Sequence, residues 1–358
     1  MNETARGTSI KTTPIKKSRI SEVDFSNLPF GREFSDHMFV ADYKDGKWSN
    51  MEIRPFENFS LSPSISALHY GQSIFEGLKA YKNEKGEVFV FRADMNAKRL
   101  NRSAERMCMP KVPENVFLDA LYELLKLDSQ WVPSEEGSSL YIRPFMFATD
   151  HYVGIKPSET YRLCIFTCPV GKYYSEPVKI KIEDKYSRAM PGGTGTAKSA
   201  GNYGGALYPA KMAQDKGFHQ MLWTDSVEHK YIEECGTMNI VFKINGKLVT
   251  PALSGTILDG ITRNTVLHLA KEWGTPVEER KITVDEVLTA CKNSTLTEAF
   301  GLGTAATVAN IKMIGIGEEK FELPAFETRE FSNKISQYLL DYRKGRHGDP
   351  YGWLMKVD

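Results

Sequence analysis

Lys198 stands in the segment GGTGTAKSAGNYGG, with six glycines close around it. Glycines let backbone crowd a ligand and supply unusual φ values. A lysine held in such a loop loses solvation, which lowers its pKa and frees the amine as a nucleophile. The plain alternative is a solvated loop lysine. Gly192 to Ser199 also reads G-x-x-x-x-A-K-S, one substitution from the phosphate-cradling G-x-x-x-x-G-K-[ST]. Ala197 replaces the glycine whose backbone must approach phosphate, and Tyr186 to Met190 make no clean buried strand ahead of it. No apolar strand ending in Asp offers a magnesium ligand, so a nucleotide hydrolase is not expected.

Glu233 and Glu234 end a strand before Cys235-Gly236-Thr237-Met238-Asn239. Adjacent strand residues face opposite ways, so one carboxylate can face water while the other faces a site. Two exposed strand-end acids fit the spacing equally. Gly260-Ile261-Thr262-Arg263 opens a helix whose free N–H groups suit an anion, and Gly303-Thr304-Ala305 adds an N–H and a hydroxyl. Arg99 lies on an amphipathic helix, where a solvated face is the simple reading. Tyr141 and Arg143 share one face of an apolar strand. An inward Arg there needs a carboxylate or phosphate partner, whereas an outward one leaves Ile142 buried. Pro144 suits an edge or a bulge. Phe30, Tyr70, Phe75, Tyr173 and Tyr174 are either core or pocket aromatics.

The elements that must position these groups follow from pattern. Glu87 to Arg92 alternates as a strand, and Asp94 caps a helix with Met95, Leu100, Ala104 and Met107 on one face. Pro110 and Pro113 stop it, and Asn115 to Leu127 repeats the pattern. Ser139 to Thr149 and Tyr161 to Cys168 read as strands. An aromatic and glycine linker at 170–177 separates an N-terminal domain, 1–169, from a C-terminal domain, 178–358. Strands are expected at Val178 to Glu183, Gln220 to Thr224 and Tyr231 to Glu234, with a helix from about Gly204 to Lys216. Ile240 to Thr250 is a hairpin whose Asn245-Gly246 suits a type I′ turn. Helices run from Gly260 to Gly274, from the cap Thr283 through Cys291, and over Glu327 to Tyr342; Gly301 to Thr304 reads as a loop.

The 358 residues give a prior of about two domains. A net charge of +1 argues against a nucleic-acid or anionic-membrane surface. With 41% apolar and 25% charged residues the composition is that of a folded globular chain. No apolar run approaches the ~20 residues of a membrane span. Five cysteines, none in C-x-x-C spacing, read as neutral buried thiols of a reducing cytoplasm. Seven scattered histidines form no H-E-x-x-H, so no metal is expected. The basic segment Met1 to Ile20 reads as a frayed terminus.

Taken together, these segments resemble the branched-chain amino-acid aminotransferases of the fold-type IV pyridoxal-phosphate family, over about Phe30 to Thr307. The family signature runs E-x-G-x-x-N, L-x-T and L-x-G-I-x-R, and here it is Glu234 to Asn239, Leu248 to Thr250 and Leu258 to Arg263. FGREFSDHMF, HYGQSIFEGLKAY, YIRP, GNYGG and FGLGTAA are similar to the branched-chain subgroup. The resemblance implies an α+β, two-domain fold, with a smaller N-terminal α/β domain and a larger C-terminal domain built on a pseudo-barrel of strands. It implies pyridoxal 5′-phosphate as cofactor, Lys198 as Schiff-base lysine and proton shuttle, and Glu234 on the pyridine nitrogen. Tyr203 would bond the ring's phenolic oxygen, and Arg99, Ile261, Thr262 and Thr304 would hold the phosphate. Phe30, Tyr70, Phe75 and Tyr141 would line the side-chain pocket, Arg143 would meet the side-chain carboxylate of glutamate, and Thr237 and Ala305 would flank the substrate.

The implied reaction is a ping-pong exchange between leucine, isoleucine or valine and 2-oxoglutarate, in a cytoplasmic homodimer with small-molecule substrates only. The Tyr70 segment would enter the partner's site, and the linker near Tyr173 would cover the substrate. Two departures stand out. Ala306 to Ala309 reads A-T-V-A where mammalian members carry a C-x-x-C redox switch, and Val241 replaces a frequent aromatic. A D-amino-acid aminotransferase and an aminodeoxychorismate lyase share the Lys198 and Glu234 equivalents. A phosphate-ligand binding protein is the non-enzymatic alternative.

Overall fold

The computed structural model describes residues 8–174 and 176–358. Its strands are β1 (Lys11–Thr12), β2 (His37–Lys44), β3 (Lys47–Pro55), β4 (Ser73–Phe75), β5 (Leu78–Lys82), β6 (Val88–Phe91), β7 (Ser139–Ala148), β8 (Tyr161–Val170), β9 (Val178–Ile182), β10 (Gln220–Thr224), β11 (Ile232–Cys235), β12 (Asn239–Ile244), β13 (Lys247–Pro251), β14 (Val277–Arg280), β15 (Leu296–Gly303), β16 (Thr307–Ile316), β17 (Glu319–Glu322) and β18 (Leu354–Val357). The helices are α1 (Ser66–Tyr70), α2 (Ala93–Arg106), α3 (Glu114–Leu127), α4 (Ala200–Gly204), α5 (Leu207–Asp215), α6 (Ile261–Glu272), α7 (Val284–Lys292) and α8 (Glu330–Arg343). The chain divides into two units. The first is Met1–Tyr173, Ala197–Ala200 and Leu340–Asp358; the second is Tyr174–Thr196 and Gly201–Leu339. The lysine peptide and the C-terminal segment thus group with the first unit, although the sequence reading leaves both with the C-terminal half.

The first unit is built on a nine-stranded sheet of order β1-β3-β2-β8-β7-β5-β6-β18, with β4 also on β7. One face is covered by α2 and α3, which bury Ala97, Leu100, Phe117, Leu121 and Leu124 against Phe39, Ile53, Val90, Ile142 and Leu163. Each such aliphatic or aromatic side chain contributes about 1.5–3 kcal/mol by leaving water. Pro144 is not on an edge strand. It falls at the break where β7 changes partner from β5 to β4, and its carbonyl accepts the Glu76 N–H (2.7 Å). Lys11–Thr12 pairs in parallel with β3, and the Thr8 hydroxyl donates to Asp119 (2.6 Å), so residues from Thr8 onward are tied down rather than frayed. The rest of the expected frayed terminus, Met1–Gly7, lies outside the described residues.

The second unit also holds a nine-stranded sheet, of order β11-β10-β9-β16-β15-β12-β13-β14 with β17 on β16. The sheet curls on itself. Although β11 and β12 are far apart in that order, Cys235 and Met238 exchange two backbone hydrogen bonds of 2.8 Å across a tight turn. This is the expected pseudo-barrel. Its interior is filled by Ile180, Leu222, Ile240, Phe242, Ala299 and Ile311.

Several local expectations change. Asp94 does not cap α2: Arg92 does, in left-handed conformation (φ 52°), with its N–H donated to Trp353 O. Asp94 sits in the first turn, where a carboxylate favours the helix N-terminus, and pairs with Lys98 at 3.3 Å. The helix expected over 204–216 forms as α5, and a separate short helix, α4, ends at Gly204 ahead of it. Gly301–Gly303 is strand, not loop, because it pairs with β12 and β16, and Met238 packs where a side chain would be: a Cβ on Gly301 would lie 2.7 Å from Met238 Cε. Cys108 is exposed rather than buried. Asn245 and Gly246, both at positive φ, make the expected hairpin turn, and the Thr283 hydroxyl caps α7 by accepting the Glu286 N–H (3.0 Å).

Candidate active site

In the first unit the Lys198 peptide is held on two sides. Its carbonyl accepts the Phe75 N–H (3.0 Å), Ser199 bridges to Ile74, and the Lys198 N–H donates to Ser103 Oγ on α2 (2.9 Å). The half-buried ammonium lies 4.9 Å over the Phe75 ring. Ser199 is followed only by the five-residue α4, and β9 ends at Ile182, so the strand-loop-helix of a phosphate loop is not built here.

Arg99 is buried, not on a solvated face. Its Nε and Nη2 each donate to one oxygen of the fully buried Glu76, both at 2.8 Å. Asn96 Nδ2 (2.8 Å) and the Gly77 N–H (3.2 Å) also donate to Glu76. Burial pushes the Glu76 carboxyl up, but Arg99, Lys198 and these donors outweigh it and hold the group below the usual carboxylate range.

Beside this cluster an aromatic pocket forms. Phe30 meets Tyr141 (5.1 Å) and Tyr173 (5.0 Å) edge-on, while the Arg143 guanidinium sits 4.6 Å over Phe75 and donates Nη2–H to the Tyr141 hydroxyl (3.1 Å). Tyr141 and Arg143 therefore share an inward face. Arg143 Nε is buried without a hydrogen-bond partner among the described residues. Gly77 has no room for a side chain, since a Cβ would lie 2.4 Å from Tyr141 Oη. Tyr70 ends α1 with 42% of its surface exposed.

In the second unit Glu233 and Glu234 are both buried, which rules out two exposed strand-end acids. Glu234 Oε1 accepts from Asn239 Nδ2 (3.0 Å) and from the Leu258 N–H (3.3 Å), and Oε2 pairs with Arg188 Nε. Asn239 Nδ2 also donates to Leu258 O (3.0 Å), which ties the carboxylate to the approach of α6. Gly260 caps α6, and a Cβ there would lie 1.8 Å from Asn239 Oδ1. Glu233 accepts from the Thr256 hydroxyl; burial raises its pKa, more than that bond and Arg188 lower it. Ile261 and Thr262 form the buried first turn of α6, whose N–H groups suit an anion. Thr237 is the exposed tip of the β11–β12 turn, and Thr304 and Ala305 form the half-buried tip of the β15–β16 hairpin. The two tips lie at the same end of the paired strands β12 and β15, since Asn239 is opposite Leu302. Tyr203, half-buried on α4, follows Asn202, whose Nδ2 donates to Thr194 O (2.8 Å).

Glu76, Gly77, Ser103 and Arg188 belong to these clusters although their sequence context does not single them out. Asn96, Arg99 and Ser103 do carry a signal, a polar stripe at helical spacing beside the apolar one. Glu76 and Arg188 carry none beyond lying in quoted or neighbouring blocks, because their partners are distant in sequence.

Each unit thus holds a buried carboxylate paired with an arginine, Glu76 with Arg99 and Glu234 with Arg188. The amino-transferase class IV family model matches residues 73–314, and the chain belongs to that family. A Bacillus subtilis relative, branched-chain-amino-acid aminotransferase 2, is 46% identical over 97% of this chain and 96% of its own. The crystal structure of a branched-chain aminotransferase from Thermoproteus uzoniensis with norvaline is 26% identical, with a TM-score of 0.74 over 90% of this chain and all of that one. The branched-chain amino acid aminotransferase of Escherichia coli superposes with a TM-score of 0.73 at 25% identity, over 90% of this chain and 99% of that one.

Proposed function

We propose that this aminotransferase exchanges the amino group between leucine, isoleucine or valine and 2-oxoglutarate, with pyridoxal 5′-phosphate as its cofactor. The single observation that carries the substrate reading is the Arg143 guanidinium set in a wall of aromatic rings, Phe75, Tyr141 and Phe30. One pocket must accept both an aliphatic chain and a carboxylate. The rings take the aliphatic chain, at about 0.8 kcal/mol per buried CH₂. Arg143 takes the carboxylate by charge-assisted hydrogen bonds.

The residues present fit the cofactor. The buried Glu234 carboxylate suits a protonated ring nitrogen, and the first turn of α6 suits a phosphate. When bound, the cofactor supplies an electron sink for the Cα–H bond and a carrier for the amino group. Arg99, Ile261, Thr262 and Thr304 would hold its phosphate, and Tyr203 would donate to its phenolic oxygen. Lys198 Nζ would hold the cofactor and, once freed by the incoming substrate amine, would move the proton from substrate Cα to the cofactor. Phe75, beneath that amine, keeps water away from it. Thr237 and Ala305 flank the substrate, and Tyr70 contributes to the pocket of a second copy.

We propose a homodimer. In support, Leu68, Tyr70, Val153 and Ile155 are exposed, and their segments are joined by Ser66 N–H to Asp150 O and Tyr152 N–H to Ser64 O. We place the enzyme in the cytoplasm, where its five free cysteines stay thiols. The test is an absorbance spectrum of the purified protein before and after leucine. A yellow band that bleaches with leucine is expected. A band bleached by D-alanine alone, or no band after added pyridoxal phosphate, overturns the reading.

A further inference from the structure

Glu76 is a wholly enclosed carboxylate of the first unit, with no part in the reaction described above. Its side chain is 0% exposed, yet it is kept anionic by Arg99 and, more weakly, by Lys198. Its own backbone is fixed as well: the Glu76 N–H donates to Pro144 O (2.7 Å), and the preceding residue, Phe75, donates to Lys198 O (3.0 Å). The backbone that carries this carboxylate is therefore held by β7 and by the lysine peptide at once. Onto these two oxygens Arg99 places Nε and Nη2 in a parallel pair at 2.8 Å. Such a fork fixes the plane of a guanidinium as well as its position. A long arginine side chain without that fork retains many rotamers, even when its charge is satisfied.

We propose that Glu76 is a positioning residue: it orients Arg99 so that the guanidinium is presented to the cofactor's phosphate, and it couples that orientation to the seat of Lys198. The proposal rests on the cofactor reading above. It separates from a simple charge-balance role by sign. If Glu76 served only as a counter-charge, removing it would raise the local positive charge and tighten phosphate binding. If it orients Arg99, removing it loosens the group that must meet the phosphate, and binding weakens.

The test uses the full-length chain stripped of cofactor. Pyridoxal phosphate and pyridoxal, which lacks the phosphate, are titrated into wild type, Glu76→Gln, Glu76→Asp, Arg99→Gln and the double variant Glu76→Gln/Arg99→Gln. Glu76→Gln is expected to weaken pyridoxal phosphate at least about tenfold, the loss of a charge-assisted contact, while pyridoxal changes less than twofold. The double variant is expected to bind no worse than Arg99→Gln alone, since both changes remove one unit. Glu76→Asp, with its oxygens drawn back by one CH₂, is expected to fall between wild type and Glu76→Gln. Should Glu76→Gln fail to fold, the Asp variant and Arg99→Gln carry the comparison: an Asp variant with wild-type selectivity for the phosphate overturns the proposal. Tighter pyridoxal phosphate binding, equal losses for both ligands, or additive losses in the double variant overturn it too. Wild type that binds neither ligand would sink the cofactor reading instead, which a flat result in Glu76→Gln alone would leave standing.

Discussion

Arg188 reaches Glu234 with its Nε while its Nη2 donates to Gly195 O (2.9 Å) and Thr256 O. One guanidinium thus joins the buried carboxylate, the glycine-rich segment ahead of Lys198, and the loop that leads into α6. Lysine has a point charge where this site uses a planar fork. Arg188→Lys is expected to keep the fold but bind cofactor about tenfold more weakly. Arg188→Met strands the Glu234 charge and is expected to cost about 3–5 kcal/mol of stability. Thermal unfolding with and without pyridoxal phosphate measures both.

Lys198 is expected to be irreplaceable. Lys198→Ala should lose the yellow band and essentially all transamination, because it removes the amine that lies over Phe75. Spectrum and activity are read on the same sample. A variant that keeps both would remove Lys198 from the reaction.

Arg143 should sort substrates. Arg143→Gln removes the cation from the aromatic wall, so glutamate and 2-oxoglutarate are expected to lose about 10- to 100-fold in kcat/KM, the worth of a charge-assisted hydrogen bond. Leucine, held by the rings, should lose much less. Equal losses for leucine and glutamate would assign Arg143 to the shared part of the substrate.

Gly260→Ala tests the Asn239 link. Its Cβ would overlap Asn239 Oδ1, so Asn239 must release Glu234 or α6 must shift. Overpacking of this kind costs about 1–3 kcal/mol. Cofactor affinity should fall with it, and titration of the variant with pyridoxal phosphate reads the loss.

Lys79, on β5, gives the fold a pH dependence. Burial first, then the neighbouring Arg343, lowers its pKa to about 7, against a smaller raising effect of Cys168. The unfolded chain holds that proton up to about 10.4, so between pH 7 and that value it binds more protons than the folded chain. Stability should therefore rise with pH across this window, by up to about 1.4 kcal/mol per unit. Below pH 7 both states are protonated and this dependence ends. Lys79→Met should flatten the rise in urea unfolding curves taken from pH 7 to 10.

Much of the second unit is legible in sequence because its signals are local. Asn245-Gly246 names its turn, Thr283 its cap, and Gly260-Ile261-Thr262 its helix start. The motif Glu234 to Asn239 also marks two residues that meet, since Asn239 donates to Glu234. In the first unit β2 and β3 are passed over although Asp45-Gly46 offers a hairpin turn, with φ of 52° and 77°. Gly301 and Gly303 read as loop because the residue that packs on them, Met238, lies some sixty positions away in the β11–β12 turn. The same holds for Glu76: a carboxylate in FEGLKAY says nothing of Arg99 until β4 and α2 are folded together. Pattern reveals what a residue's neighbours require, and it is silent on partners that only tertiary structure brings near.

The pairing of β18 with β6 sets the order in which the protein can be made. Leu354 lies opposite Phe91 and Val357 opposite Val88, so β6 finds this neighbour only after some 260 further residues have left the ribosome. At roughly 5–20 residues per second that is a wait on the order of tens of seconds. For that interval β6 offers a bare edge of Val88, Phe89, Val90 and Phe91 to any passing strand. The first unit is begun early and completed last, and a nascent chain halted before residue 354 carries an open edge for a chaperone, or another nascent chain, to occupy.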